Sequence, residues 1–252
     1  PYKFLKSIIS LIKSHLFQKK MIKEFNKIDY RFTHSKDYVN DLIKYGAISC
    51  DHIIPPIHDV KKNFLEKVKD TEENRSYYKI LIVGLMSSVN LSQLDILRKY
   101  VFPTIENNVS NKKIQFHFIG IAYDNLPDDF KEKDYVIARG YVEDIYTELN
   151  NCDLLFSVTP RPFGFRVRLA EALSIGTCIL TTKFDQVSLP FLKDNHNCYI
   201  IDDIKNTGRK ILEIIESKEK NIYIKQNARE AYVKNLSYET AGKKYESLFL
   251  KN

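Results

Sequence analysis

The sequence has few cysteines and no long uninterrupted apolar run. Its four cysteines, Cys50, Cys152, Cys178 and Cys198, show no paired CxxC spacing, and two of them sit in apolar, strand-like runs. This pattern argues against a zinc site and a disulfide framework, and it favours reduced thiols in a cytoplasmic setting. No secretory signal is visible, and lysines interrupt the apolar start of the chain, so that stretch is not predicted to span a bilayer.

Several familiar phosphate-binding and catalytic motifs are also absent. The chain contains neither the GxGxxG fingerprint nor the P-loop GxxxxGK[ST], and it has no GxSxG nucleophile elbow. Its six histidines lack metal-ligand spacing, and the acidic pairs at residues 128–129 and 202–203 lie in polar, loop-like sequence. We interpret those pairs as solvated turn residues and expect neither a metal site nor a catalytic Cys–His pair.

The chain carries an excess of basic charge, because 39 Lys and Arg against 32 Asp and Glu give a formal net charge of +7. Such a balance is typical of proteins that contact nucleic acid, anionic lipid or a phosphorylated ligand, and equally of a merely solvated basic surface. No basic stripe is interleaved with aromatic residues, so no nucleic-acid partner is expected. A hydrophobic share of 44% in 252 residues fits a globular protein with a buried core.

The start of the chain predicts an amphipathic helix. Its apolar residues fall on one helical face, with lysines elsewhere: Phe4, Ile8, Ile9, Ile12 and Leu16. Two interpretations stay open, a helix docked on a domain and a helix lying on a membrane surface. We expect a cytoplasmic protein, with peripheral contact at the inner membrane face as the second option.

From Ile80 onward, short apolar segments alternate with helix-like ones. The strand-like runs are KILIVGLM, IQFHFIG, DYVIARGYV, DLLFSVT, CILTTK and CYIID, and LSQLDILRKYVFPTIEN has helical spacing between the first two. This alternation is typical of a parallel sheet with right-handed crossovers. The predicted fold class is therefore α/β, a doubly wound parallel sheet.

Composition divides the chain into four predicted parts. Residues 1–56 contain helix-like and short strand-like pieces, and the charged residues 57–76 predict a linker. Residues 77–234 hold the alternating pattern. Residues 235–252 predict a carboxy-terminal helix capped by Ser237.

In an open α/β sheet, ligands bind beyond the carboxyl ends of the strands, and three stretches meet that condition. GLMSSVNLS has a glycine that lets a ligand approach the backbone closely, and it has polar side chains before a helix. RGYV has exposed backbone that could face the edge of a nucleotide base. The candidate binding residues of these two stretches are Gly84, Ser87, Ser88, Asn90, Tyr141 and Val142. An ordinary helix cap and a plain strand end explain the same two stretches.

The third stretch, RPFGFRVRLAEALSIG at residues 161–176, carries the sharpest signal. Arg166 and Arg168 stand at a predicted helix start, where the helix dipole is already positive, and a bound anion would remove that conflict. Gly164, beside Phe165, would let the loop backbone approach a phosphate. The two guanidinium groups suit phosphate oxygens, and Glu171 is placed to accept from ribose hydroxyls. The structural alternative is a local Arg168–Glu171 ion pair, worth only about 0.2–0.5 kcal/mol.

The segment VTPRPFGFRVRLAEALSIGTCILTT resembles the donor-site segment of retaining GT-B glycosyltransferases of the family 4 type. EALSIG matches that family's Glu-Ala-Leu/Met-Ala-x-Gly run, and GFRVRLAEA is similar to its Gly-x-Arg-x-Lys-x-x-Glu-Ala pattern, with Arg168 at the lysine position. HIIPPIHD looks like the family's interdomain IPPGVD segment. ARGYVEDIYTELNNCDLLFSV looks like its GFVDDLxELYxxADVFV element, so the resemblance covers most of the chain.

Two features depart from the family pattern. Many members carry Glu-x7-Glu, whose first Glu contacts the donor sugar, and Phe163 stands at that first position here. The family's frequent Arg and Lys after the first strand are also missing, since nothing basic occurs between Gly84 and Arg98. Arg166 and Arg168 are therefore expected to carry much of the charge that stabilises a diphosphate.

The resemblance implies a Rossmann-like, nucleotide-sugar-binding half of a GT-B fold, preceded by the end of an acceptor domain. It implies a hexosyl or related transferase that moves a sugar, with retained configuration, to a glycan, lipid or other acceptor without a metal or other cofactor. We expect this part of the enzyme to bind donor yet turn over poorly, and no catalytic residue is assigned. The alternative is a non-catalytic nucleotide- or nucleotide-sugar-binding module with the same fold.

Overall fold

The structure is a computed structural model of the chain. It describes residues 2–55, 75–84, 87–108, 113–121 and 123–250. Most of the predicted linker at residues 57–76 therefore lies outside the described residues.

The amino-terminal residues form two helices and a small parallel sheet. Their elements are α1 (Tyr2–Phe25), β1 (Phe32–Thr33), α2 (Lys36–Lys44) and β2 (Asp51–His52), and β1 pairs with β2. The predicted helix at the start of the chain is confirmed as α1. Helix α2 ends before Gly46, whose φ of 102° belongs to a region that favours glycine.

A six-stranded parallel sheet forms the body of the molecule. Its strands are β3 (Tyr77–Val83), β4 (Lys113–Ile119), β5 (Val136–Gly140), β6 (Leu154–Phe156), β7 (Ile179–Thr182) and β8 (Tyr199–Ile201). Their spatial order is β5-β4-β3-β6-β7-β8. The chain winds outward from β3 to one edge and then from β6 to the other, which is the order of a doubly wound Rossmann sheet. The predicted fold class is confirmed.

Helices connect these strands. They are α3 (Ser88–Ile96), α4 (Phe102–Asn107), α5 (Asp128–Lys131), α6 (Ile145–Asn150), α7 (Val167–Ile175), α8 (Thr207–Glu216), α9 (Lys218–Asn235) and α10 (Tyr238–Phe249). A π-helical turn, Leu97–Val101, joins α3 to α4 just before Pro103, which has no backbone N–H for the regular ladder. Ser237 caps α10, as predicted, because its Oγ accepts from the Thr240 N–H at 3.3 Å.

The sheet is buried on both faces, as its continuous apolar strands predict. On one face, Phe116 of β4 meets Phe102 of α4 edge to face, with ring centroids 5.2 Å apart, and Phe102 meets Phe130 at 4.9 Å. The other face is covered by α6, α7 and α9 through side chains that include Leu149, Leu173 and Tyr232. Burial of each such side chain contributes about 1.5–3 kcal/mol, so the two layers hold the strand ends in fixed positions.

Candidate functional site

The strand order reverses between β3 and β6, which is where an open α/β sheet leaves a crevice at its carboxyl edge. Backbone hydrogen bonds tie three neighbouring strand ends together there. The Gly84 N–H donates to the Ile119 carbonyl at 2.9 Å, and the Gly120 N–H donates to the Gly140 carbonyl at 2.6 Å. Gly84, Gly120 and Gly140 all have positive φ angles. Sequence analysis missed Gly120, whose only signal was its place at the end of the strand-like run IQFHFIG.

The described polar residues that follow β3 form hydrogen bonds within the protein. Ser87 caps α3 by accepting from the Asn90 N–H at 3.5 Å, and the buried Asn90 Oδ1 accepts from Gln93 Nε2 at 2.9 Å. A Cβ added at Gly84 would lie 2.2 Å from Asn90 Nδ2, so this glycine makes room for Asn90. The helix-cap alternative describes this geometry. Ser87 and Ser88 are exposed, and the donor-binding role of these residues stays a prediction.

The strand end after β5 is open. A Cβ added at Gly140 would meet nothing within 4 Å among the described residues, and the side chain of Tyr141 is 87% exposed. Val142 packs partly against the core on the α7 side of the sheet. The backbone at Tyr141 and Val142 is therefore available to a flat ligand, and its predicted contact with a base remains a prediction.

Arg166 sits immediately before α7 and is held by internal partners. Its Nη1 donates to the Ser157 carbonyl at 2.8 Å and to Asp185 Oδ2 at 3.3 Å, and Thr181 Oγ1 donates to the same carboxylate oxygen. Both side chains are nearly buried, and burial lowers the pKa of Arg166 and raises that of Asp185, although each partner opposes the other's shift. The pair fastens the loop after β6 to the end of β7. The predicted phosphate contact of Arg166 is untested.

Arg168 and Glu171 form the ion pair that the sequence offered as the structural alternative. Arg168 Nη1 lies 2.5 Å from Glu171 Oε2, and the two side chains are 33% and 15% exposed. Neither of these two buried atoms has an aligned hydrogen bond to a described residue. Burial raises the pKa of Glu171, and Arg168 opposes that rise. Within the described residues, the buried ends of this ion pair therefore face each other.

The amino-terminal segment borders this loop. Gly164 has a φ of 71°, and a Cβ added there would lie 3.0 Å from the Tyr38 hydroxyl of α2. Ser188 Oγ donates to Ser35 Oγ at 3.1 Å, and both residues are buried. The space that a side chain would fill at Gly164 is thus occupied by Tyr38, while Phe165 packs partly into the core. Sequence analysis missed Tyr38, because its role depends on a long-range contact.

The tip of the same loop carries an exposed arginine on an aromatic ring. The Arg161 guanidinium carbon lies 4.5 Å from the ring centroid of Phe163. Phe163 is partly buried, whereas Arg161 is exposed. Arg161, Arg166 and Arg168 therefore have three different environments within one short segment.

The described part of the chain contains no group of three or more His, Cys, Asp or Glu side chains arranged to hold a metal ion. The predicted independence from metals stays a prediction. Across the same described ranges, no helix combines the length and the apolar character needed to cross a membrane.

The doubly wound sheet is that of the Rossmann-like domain of GT-B glycosyltransferases. Residues 77–217 match the family model described as glycosyl transferases group 1. This match spans more than half of the chain, and the chain belongs to that family. The matched residues fall inside the predicted domain at 77–234, whose limits remain a prediction. No curated protein sequence matches the chain.

Solved glycosyltransferase structures share the fold at low sequence identity. HepE of Anabaena, solved with UDP and glucose, is 15% identical with a TM-score of 0.72, and the match covers 95% of this chain and 68% of HepE. TarM of S. aureus, solved in a complex that includes UDP, is 18% identical with a TM-score of 0.72, and the match covers 92% of this chain and 46% of TarM. A glycosyltransferase from Rickettsia africae is 15% identical with a TM-score of 0.69 over 92% of this chain and 68% of its own.

Proposed function

We propose that the chain binds the diphosphate of a nucleotide sugar between the carboxyl end of β6 and the start of α7. In this proposal it provides the donor-binding domain of a retaining glycosyltransferase that moves the sugar to a glycan, lipid or other acceptor. Membership in the glycosyltransferase family supports the transferase class. The UDP bound in HepE and TarM supports a nucleotide donor by analogy of fold.

The observation that carries this proposal is the Arg168–Glu171 pair. Its two facing atoms lack aligned hydrogen bonds although they are buried, and the pair lies in the first turns of α7, near the positive end of the helix dipole. A diphosphate beside Arg168 would receive charge-assisted hydrogen bonds, which are each worth about 1.5–3 kcal/mol. Glu171 would then be free to accept from ribose hydroxyls.

The same arrangement suits the departure of a diphosphate. When the bond from the sugar to the diphosphate breaks, negative charge grows on the departing oxygen. Once the diphosphate has replaced Glu171 as the partner of Arg168, the Arg168 guanidinium and the first turn of α7 would stabilise that charge. In this proposal Arg168 supplies the positive charge that a metal ion would supply in a metal-dependent transferase.

Charge reversal tests the proposal. Titration calorimetry and thermal melting of the chain with UDP, GDP and dTDP should identify one nucleotide that binds and raises the melting temperature. Arg168→Glu should lower that affinity at least tenfold, since it places a second carboxylate beside Glu171. Arg209→Glu makes the same exchange on the exposed side of α8 and should leave the affinity unchanged. A folded Arg168→Glu protein with unchanged affinity would reject the proposal.

A second candidate is binding without transfer. The loop at residues 157–166 contains no Asp or Glu, and Phe163 stands where the resembled family often has a glutamate that contacts the sugar. A non-catalytic nucleotide-sugar module would bind donor but release no nucleoside diphosphate from it. Measuring that release with the donor that binds best separates the two candidates.

A further inference from the structure

Among the described residues, Arg161 is the arginine of the segment 157–176 that has no carboxylate partner. Arg166 is bound to Asp185, and Arg168 is paired with Glu171. Arg161 makes no hydrogen bond and no ion pair with any residue that the structure describes, and its guanidinium group rests on the Phe163 ring. Its charge is therefore available to a ligand.

The contact with Phe163 leaves the N–H donors of Arg161 without a hydrogen-bond partner among the described residues. A guanidinium group is planar, and its five N–H donors point outward in its own plane. Phe163 is partly buried, so the ring anchors the cation, with an interaction of about 0.5–1 kcal/mol at an exposed site. An ordered guanidinium edge matches a planar carboxylate, which it binds through two parallel hydrogen bonds.

Arg161 and Phe163 lie in the loop that joins the carboxyl end of β6 to the start of α7. The next step rests on the proposed function, which places the diphosphate beside this loop and Arg168. Because the sugar of a nucleotide sugar is bonded to the diphosphate, a sugar that extends along this loop would meet Arg161 and Phe163.

We propose that Arg161, held on Phe163, binds a carboxylate of the transferred sugar, so that the donor is a nucleotide diphosphate uronate. The loop at residues 157–166 has no carboxylate side chain to accept hydrogen bonds from the hydroxyls of a neutral sugar or to repel an acidic one. Arg161 then acts as a specificity-determining residue.

The experiment compares two donors that differ in one group. Calorimetry with the 252-residue chain should show UDP-glucuronate binding about tenfold more tightly than UDP-glucose, which corresponds to about 1.4 kcal/mol. Arg161→Gln should reduce that ratio to near one. Arg161→Lys and Phe163→Leu should give intermediate ratios, because they remove the two-point contact and the anchor respectively. Arg209→Gln is the matched surface control and should keep the tenfold ratio.

The outcomes separate this inference from the proposed function. If GDP binds and UDP does not, GDP-mannose and GDP-mannuronate replace the two donors. If no nucleotide binds, both the proposed function and this inference are rejected. Equal affinities for the acidic and neutral donors overturn the inference alone. Arg161→Gln could also lower the affinity for UDP by the same factor as the affinity for UDP-glucuronate. That result would overturn the inference as well, because Arg161 would then contact the diphosphate. If Arg161→Gln does not fold, the ratio measured with Arg161→Lys decides.

Discussion

The arginines before and within α7 show how far neighbouring residues of one type can differ in environment. Arg166 is bound to the Ser157 carbonyl and Asp185. Arg168 forms an ion pair with Glu171, and Arg161 lies over the Phe163 ring at the surface. The sequence predicted a special role for the first two from their position at a helix start. It did not predict Asp185, because the contact joins residues from two different strand-to-helix connections. The role of a charged side chain is decided by such tertiary partners.

Breaking the Arg166–Asp185 pair should destabilise the fold. Arg166→Gln leaves the Asp185 carboxylate buried, with Thr181 as its remaining side-chain donor among the described residues, and the loss of one partner of a buried pair typically costs about 3–5 kcal/mol. Urea unfolding measures the change. Lys243→Gln, which breaks the fully exposed pair with Glu239, serves as the control and should change the unfolding free energy little. Equal effects of the two substitutions would contradict a structural role for Arg166.

His117 is a core residue of β4. It lies between Phe116 and Phe118 in the strand, and the structure buries it with its ring stacked on Tyr77. Burial, followed by the charge of Lys79, lowers the pKa of His117 to about 4. The imidazole therefore remains neutral at physiological pH, as a core residue should.

At the scale of elements, α7 depends on a glycine at its carboxyl end. Gly176 has a φ of 78°, and a Cβ added there would lie 2.8 Å from the Lys225 carbonyl of α9. This glycine both ends the helix and lets α9 approach closely. The contact with α9 depends on packing and was not predictable from the sequence.

Alanine at Gly176 should therefore destabilise the protein. Left-handed backbone geometry in a non-glycine residue costs about 1–3 kcal/mol, and the contact with the Lys225 carbonyl adds to that cost. Gly242 in α10 offers the opposite case, since a Cβ there meets nothing within 4 Å among the described residues. Gly242→Ala should raise stability by up to about 1 kcal/mol, because alanine favours helix. Thermal and urea unfolding of both variants should give opposite signs, and equal signs would contradict this account.

Sequence pattern predicted most of the sheet but less of its connections. All six strands were predicted, because each contains a short apolar run. The helix before β4 was predicted as one regular segment, whereas the structure places a π-helical turn, Leu97–Val101, before Pro103. Hydrophobic periodicity does not distinguish a π turn from an α turn over five residues, which explains the difference.

At the scale of the whole molecule, residues 30–32 contact the carboxy-terminal helix α10. Tyr30 contacts Phe249 of α10 with ring centroids 4.9 Å apart, and Phe32 of β1 contacts Tyr245 of α10 at 6.0 Å. Together with Tyr38 against Gly164, these contacts place the amino-terminal segment beside the loop that follows β6. The aromatic residues were visible in the sequence, but their pairing across the length of the chain was not.

The central claim is that a nucleotide diphosphate rests against the start of α7, and a crystal structure of the chain with UDP tests it most directly. The account predicts phosphate oxygens within hydrogen-bond distance of the Arg168 guanidinium and the first N–H groups of α7, with Glu171 turned to the ribose. UDP found away from the carboxyl edge of β3 and β6, with Arg168 still paired to Glu171, would contradict it.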